Sequence, residues 1–147
     1  MTDLSGYCLC SSVKVVAFGT MLNADACHCA MCRRQNAGGA FYAAHFDGGV
    51  RFQGEHLRWY AASEHGERAF CSICGSTLGW RLKAQPEHIG VSLGLFDTVP
   101  GRIGSRIFTE EAGGYTILPH DVPHKTGEQV LAEFAARQEQ ADDQLAH

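Results

Sequence analysis

The chain has 147 residues, of which 45% are hydrophobic and 19% are charged, and its 12 basic and 16 acidic residues give a net charge of −4. This length favours a single domain, the composition is that of an ordinary globular protein, and the negative charge argues against broad contact with nucleic acid phosphates. No run approaches the ~18 apolar residues of a transmembrane helix. The start, "MTDLSGYCLC", lacks a basic region followed by an apolar stretch, so we expect no secretory signal. We therefore expect a reducing cytoplasm, where cysteines are more often metal ligands or catalysts than disulfides.

Candidate strands follow one another through most of the chain, with glycine-rich turns between them. In chain order they are "VKVVAF" (residues 13–18), "AFYAAHF" (40–46), "VRFQG" (50–54), "HLRWYAA" (56–62), "RAFC" (68–71), "STLGWRL" (76–82), "HIGVSLGLF" (88–96) and a short strand over 106–109. The turn sequence Asp47-Gly48-Gly49 predicts a hairpin between the second and third of these strands. The sequence therefore predicts a mainly β, turn-rich fold.

The pattern changes at Thr126, where a helix is predicted to begin. Thr126 and Gln129 form a capping box, and apolar residues then recur at helical spacing. The remaining tail, "RQEQADDQLAH", is polar. We therefore expect one domain over residues 1–125, followed by a C-terminal helix and tail over residues 126–147.

The seven cysteines fall into three groups. The groups are Cys8-Leu-Cys10, Cys27-His-Cys29-x-x-Cys32 and Cys71-x-x-Cys74-Gly75. Residues i and i+2 of an extended strand point to the same face, so Cys8 and Cys10 can bind one ion from one strand. Two residues between Cys71 and Cys74 let both sulfurs converge, and Gly75 can adopt the backbone angle needed after the second ligand. The two pairs predict a tetrahedral structural zinc site that connects the start of the chain to its middle.

The other three cysteines all lie in the segment "CHCAMCRRQNAGG". Three protein ligands and an open fourth position are typical of a catalytic zinc site, so Cys27, Cys29 and Cys32 are predicted to bind a second zinc ion. His28 points away from its neighbours if the segment is extended, whereas His45 could reach from the following strand and close the site. The sequence therefore predicts two metal sites of different kinds.

The chemistry of an open three-cysteine site favours thiols over water. Three thiolates outweigh the two positive charges of zinc, so such an ion acidifies water poorly but suits another thiolate. Arg33 and Arg34 follow the third cysteine, where they could offset the thiolate charge or contact the carboxylates of an anionic thiol. The alternative for each arginine is an ordinary solvated surface charge. "CRRQNAGG" predicts one helical turn that ends at Gly38 or Gly39.

Other uses of the cysteines stay open at this point. Cys71 and Cys74 could form a redox dithiol, although a βαβ pattern around them is missing. Four thiolates also suit an iron–sulfur cluster. Seven cysteines that served only as buried hydrophobic residues would not be expected to cluster in this way.

The motifs "GYCLC", "CHCAMCRR", "FCSICG" and "VSLGLFD", in this order and spacing, resemble the glutathione-dependent formaldehyde-activating enzyme family, also called the centromere protein V domain. The resemblance covers the chain from Leu4 to Pro123. It implies a tent-like fold of stacked β-sheets with short helical turns around a structural zinc, as in the guanine-nucleotide-releasing mammalian suppressor of Sec proteins. It also implies two zinc ions. By position, Cys8, Cys10, Cys71 and Cys74 match the structural ligands, and Cys27, Cys29 and Cys32 match those of the catalytic zinc.

The activity that the resemblance implies is the addition of glutathione to formaldehyde, which gives S-hydroxymethylglutathione. We accordingly expect residues 1–125 to form a zinc-binding domain of the formaldehyde-activating type, and the chain to be a cytoplasmic, zinc-dependent carbon–sulfur lyase. Its predicted partners are a small aldehyde and a thiol such as glutathione, contacted by Arg33 and Arg34. The alternatives are a zinc-stabilised binding or scaffold module without catalysis, and a thiol redox protein.

Overall fold

Ten β-strands and two α-helices make up the described part of the chain, which confirms the mainly β prediction with a C-terminal helix. The structure is a computed structural model that describes residues 3–145, with side chains described as far as residue 140. In chain order the elements are β1 (Leu4–Tyr7), β2 (Lys14–Ala17), β3 (Met21–Cys27), α1 (Ala30–Gln35), β4 (Phe41–Phe46), β5 (Val50–Gln53), β6 (Leu57–Tyr60), β7 (Gly66–Cys71), β8 (Thr77–Leu82), β9 (Gly90–Ser92), β10 (Ser105–Ile107) and α2 (Gly127–Leu145). Short 3-10 turns lie at Leu93–Leu95, Thr109–Glu111 and Gly114–Thr116.

The strands form two sheets that share one hydrophobic core. One sheet has three strands in the order β1-β2-β5, and the other has seven in the order β10-β3-β4-β9-β8-β7-β6. The pairings are antiparallel, apart from that of β10 with β3. Alternate residues of a strand point to one face, so Val15 and Ala17 of β2 are buried while Lys14 is exposed. They belong to one buried cluster with Ala44 and Leu78 of the larger sheet.

The hairpin predicted between residues 40 and 54 is wrong, because its two strands belong to different sheets. β4 pairs with β3 and β9, whereas β5 pairs with β2. The turn between them is bonded to the connection that follows β2. The Phe18 N–H donates to the Gly49 carbonyl at 2.9 Å, and the Thr20 N–H donates to the Asp47 carboxylate at 2.6 Å. The turn therefore carries the chain from the larger sheet to the smaller one.

The chain is divided into two compact units. The first ends at Thr116, and the second begins at Ile117. The second unit contains α2, and the predicted capping box precedes it. The Thr126 N–H donates to Gln129 Oε1 at 2.8 Å, and the Gln129 N–H donates to Thr126 Oγ1 at 3.2 Å. The domain boundary predicted after residue 125 stays a prediction. In the described range, neither helix combines the length and apolar character needed to cross a membrane.

Candidate functional site

Cys8, Cys10, Cys71 and Cys74 lie together, with all four sulfurs within 4.8 Å of one another. The prediction that the first pair lies in an extended strand is wrong, because β1 ends at Tyr7 and both cysteines occupy the turn before β2. The turn brings the Cys8 and Cys10 sulfurs to 3.6 Å from each other, and the Cys10 sulfur lies 3.8 Å from that of Cys71. This four-thiol set suits a closed tetrahedral zinc site. It joins a turn of the smaller sheet to a turn of the larger one.

The second half of this cluster is formed by Cys71, the last residue of β7, and by Cys74 in the turn before β8, which has the predicted conformation. Gly75 has a φ of +75°, and its N–H donates to the Cys71 carbonyl at 2.9 Å. Hydrogen bonds from the Ser76 hydroxyl and backbone lower the pKa of the Cys74 thiol to about 5. The Ser76 hydroxyl also accepts the Leu9 N–H at 3.0 Å, which ties the two turns together. Because metal ligands must be thiolates, the lowered pKa favours the form that binds zinc.

Cys27, Cys29 and Cys32 form the second cluster, and their sulfurs also lie within 4.8 Å of one another. Cys27 is the last residue of β3, Cys29 immediately precedes α1, and Cys32 lies within that helix. The predicted helical turn is therefore present, but it spans Ala30–Gln35 and does not end at Gly38 or Gly39, because Ala37 already has a left-handed φ of 53°. His28 is only 3% exposed, its Nε2 accepts a hydrogen bond from Arg106 Nε at 3.2 Å, and it is not in the group of converging ligand atoms.

Arg68, in β7, contacts the second cluster with its positive charge and was not among the predicted site residues. It is 5% exposed, and its Nη2 donates to the Cys32 sulfur at 3.3 Å while Nη1 donates to Gln35 Oε1 at 3.0 Å. Burial raises the pKa of the Cys32 thiol to about 12, and the hydrogen bond and charge of Arg68 oppose that shift. Three thiolates and one zinc ion carry a net charge of −1, which the buried guanidinium offsets. The charges of the site therefore fit the ion.

A cavity of about 390 Å³ opens beside the three sulfurs. Its polar lining includes Asp25, His45, Arg68 and Glu111 as well as the cysteines. His45 lies outside the group of converging ligand atoms, so among the described residues this site has three donors. Burial lowers the pKa of His45 below its usual 6.5, and the charge of Asp25 opposes that shift. The imidazole in this cavity wall is therefore neutral at pH 7.

Gly90 of β9 makes room for the imidazole of His45. A Cβ added at Gly90 would lie 3.3 Å from His45 Nε2, so a larger residue there would press on the ring. This close approach explains how a histidine of one strand can lie over the backbone of the next and still face the cavity.

Arg33 and Arg34 are not part of the cavity wall as far as the chain is described. Arg34 Nη1 donates to the Ala30 carbonyl at 3.4 Å, within its own helix. Their predicted contact with a thiol substrate stays a prediction.

The sequence does contain one signal for Arg68. It is a charged residue in the predicted strand that leads to Cys71, and a charged residue in such a strand is rarely buried unless it is paired. Its position therefore indicated a paired arginine close to the cysteines.

The fold and its sites define a class of protein: a mainly β domain with two cysteine clusters that could each hold a zinc ion, one of them at a cavity. Residues 3–111 match the sequence profile described as glutathione-dependent formaldehyde-activating enzyme, so the chain belongs to that family. A crystal structure of a Rhodobacter sphaeroides protein has a similar fold, with a TM-score of 0.54 and 24% identity, covering 70% of this chain and 99% of that one. No curated protein sequence matches the chain.

Proposed function

We propose that this chain forms and cleaves the carbon–sulfur bond of a thiol–aldehyde adduct, as a zinc-dependent lyase similar to the enzyme that names its family. The observation that carries the proposal is the group Cys27, Cys29 and Cys32 at the wall of a cavity that also contains His45 and Arg68. Glutathione and formaldehyde are the first partners to test, because the family description names them. Free cysteines throughout the chain favour a reducing compartment such as the cytoplasm.

The two cysteine clusters have different roles in this proposal. Cys8, Cys10, Cys71 and Cys74 would hold a structural zinc ion, and the other three would hold the catalytic one. When bound there, zinc would supply Lewis acidity and keep a substrate thiol ionised at neutral pH. With zinc bound, Arg68 would bring the charge of the three-thiolate cluster close to zero, because its guanidinium lies 3.3 Å from the Cys32 sulfur.

His45 is the residue that moves the proton. In the forward direction the thiol loses a proton and the carbonyl oxygen gains one, so a group that can accept and then donate is needed beside both. His45 is neutral at pH 7 because burial lowers its pKa, and it lines the same cavity as the cysteines. Phe41 and Trp80 line the same cavity.

Exchange spectroscopy tests the reaction without a coupled assay. With ¹³C-formaldehyde and glutathione, NMR measures the rate at which free and adduct carbon interconvert, and we expect a rate that rises in proportion to the protein. Cys29→Ser is expected to abolish the acceleration while the four-cysteine site remains loaded. The matched control is the wild-type chain stripped of metal and then reloaded with zinc. A loaded, folded protein that accelerates exchange with none of several thiols would favour the binding or scaffold module instead.

A further inference from the structure

The cavity beside the three cysteines is far larger than a one-carbon aldehyde needs. Its volume is about 390 Å³. Formaldehyde is only slightly larger than a water molecule, whose share of liquid volume is about 30 Å³, whereas a cavity of about 150 Å³ is enough to bind benzene. The space can therefore hold a substituent the size of an aromatic ring together with the reacting atoms.

Apolar side chains make up most of the cavity wall. Phe41, Trp80 and Phe108 contribute aromatic rings, and Met31 and Ile107 add aliphatic surface. Three of these, Met31, Ile107 and Phe108, are 44%, 40% and 51% exposed, so the mouth of the cavity is apolar as well as its interior. An apolar group that entered would remove this apolar surface from water, which favours its binding.

Phe108 is held at the cavity by an unusual backbone conformation. Its φ is 53°, in the left-handed region that bulky residues seldom adopt. The segment is fixed from both sides, because the Glu111 N–H donates to the Phe108 carbonyl at 3.1 Å and the Glu111 carboxylate accepts the Ala30 N–H at 2.6 Å. The ring therefore belongs to a segment anchored to the start of α1, beside Cys29.

The charges in the wall do not match the charged ends of glutathione. Asp25 and Glu111 are carboxylates, as are two groups of the tripeptide at neutral pH. Arg68 is the one cationic arginine or lysine in the described wall, and both of its Nη atoms already have partners. Placing a carboxylate in an apolar wall without a partner is costly. The apolar part of the cavity is therefore available to the substituent that the aldehyde contributes to the adduct.

We infer that the carbonyl partner of this chain is an aldehyde with an aromatic substituent, seated against Phe41, Trp80 and Phe108. The inference rests on the proposed function and specifies its substrate class. The thiolate sulfur forms a bond to the carbonyl carbon, the π electrons move to the oxygen, and the proton lost by the thiol ends on that oxygen. Cleavage is the reverse, and neither direction needs an oxidant or a reductant.

Selectivity between two aldehydes separates this inference from the proposed function. Exchange NMR with glutathione gives the acceleration over the uncatalysed rate for phenylacetaldehyde and for formaldehyde, under the same conditions. We expect the acceleration for phenylacetaldehyde to exceed that for formaldehyde by about tenfold or more. One buried methylene alone changes the preference of an enzyme between two substrates by about tenfold. An acceleration that is equal or greater for formaldehyde would overturn the inference and leave the proposed function standing. No acceleration for either aldehyde, with glutathione or with any of several smaller thiols, would overturn the proposed function.

A cavity-filling variant tests the location of the substituent. Ala43 lines the cavity from β4, so Ala43→Leu is expected to lower the phenylacetaldehyde-to-formaldehyde ratio about tenfold. Ala61→Leu makes the same change at an exposed position outside the cavity wall and is expected to leave the ratio unchanged. Equal ratios in the two variants would contradict the placement.

A binding measurement gives a readout that does not depend on turnover. The chain has two tryptophans, and Trp59 lies outside the cavity wall beneath Arg81, whose guanidinium carbon is 3.7 Å from the centre of the Trp59 ring. In a Trp59→Phe background the fluorescence therefore reports Trp80. We expect a saturable change with 2-phenylethanol, an unreactive analogue, none with methanol, and a weaker response after Ala43→Leu. A fluorescence response that does not saturate would overturn the inference.

Discussion

The guanidinium of Arg68 lies 3.3 Å from the Cys32 sulfur in a part of the molecule that excludes most water. A buried charge is stable only when it is paired, so Arg68 and a thiolate at Cys32 depend on each other. Arg33 and Arg34 are adjacent to Cys32 in sequence, yet Arg68 provides this contact because the topology brings β7 beside α1. The contact made by Arg68 could not be predicted from the sequence, since pairing across elements cannot be read from neighbours along the chain.

Replacing Arg68 is expected to weaken metal binding at the three-cysteine site. Arg68→Met removes the compensating charge, and partners of this kind typically contribute 10–100-fold to metal affinity. We expect Arg68→Lys to retain part of that affinity, since it keeps the charge but not the planar fork. Competition with a chromophoric chelator measures the affinity of each site. Arg81→Met is the control, because Arg81 pairs with Glu67 at 2.7 Å outside the cavity wall. Unchanged affinity in Arg68→Met would contradict this role.

The proposed proton transfer by His45 predicts a specific pH dependence. The neutral imidazole is the active base, and burial lowers its pKa below 6.5, with Asp25 opposing the shift and His88 adding to it. Activity should therefore persist as the pH falls to 6.5 and decline only below the lowered pKa. His45→Gln is expected to reduce kcat by about 10²–10⁴-fold and to remove this acid limb.

His88→Gln provides the control for that measurement. It keeps His45 but removes the neighbouring positive charge that lowers the His45 pKa at acid pH. The acid limb should then move to higher pH, which a limb caused by protonation of the cysteines would not do. A His45→Gln profile identical in shape and height to the wild type would exclude His45 as the base.

At the scale of elements, both cysteine clusters are built at the ends of strands, where the chain leaves a sheet. The four-cysteine group lies in the turn after β1 and at the end of β7 with its following turn, and these two parts belong to different sheets. The three-cysteine group lies within one segment, from the end of β3 into α1. The first group links distant parts of the chain, whereas the second links residues that are already neighbours.

This difference predicts unequal effects of two matched substitutions. Cys71→Ser is expected to prevent stable folding, because structural zinc contributes on the order of 10 kcal/mol in small zinc domains. Cys29→Ser should leave a folded chain whose melting temperature changes by only a few degrees. Thermal unfolding followed by circular dichroism compares the two variants. Equal losses of stability would show that the cysteines are divided incorrectly between structural and catalytic roles.

The elements that sequence patterns predicted are those with a strong local signal. "VKVVAF" has a run of β-branched residues and forms β2, and the capping residues before α2 pair as expected. β3, "MLNADAC", was not predicted, because its buried residues Ala24 and Ala26 are small and the segment lacks the β-branched and aromatic residues typical of strands. The false hairpin had the correct turn residues, but their bonds to Phe18 and Thr20 decide the direction of the chain, and such bonds leave no local pattern.

At the scale of the whole molecule, the two clusters predict two zinc ions per chain of unequal affinity. Elemental analysis of protein purified without chelator should approach this ratio. A mild chelator should remove the ion of the three-cysteine site first, because that site has one donor fewer. Cys29→Ser should bind one ion only. A wild-type chain that retains one ion after reconstitution with zinc under reducing conditions would contradict the second site.

The two clusters also differ in when their ligands become available as the chain is synthesised. Cys27, Cys29 and Cys32 emerge almost together, whereas the four-cysteine group is complete only when Cys74 is added, 42 residues after Cys32. At about 5 to 20 residues per second, this interval lasts roughly 2 to 8 seconds. During it the nascent chain presents a complete three-thiol group and only half of the four-thiol group. The order in which ions are captured during translation can therefore be the reverse of the order of their final affinities.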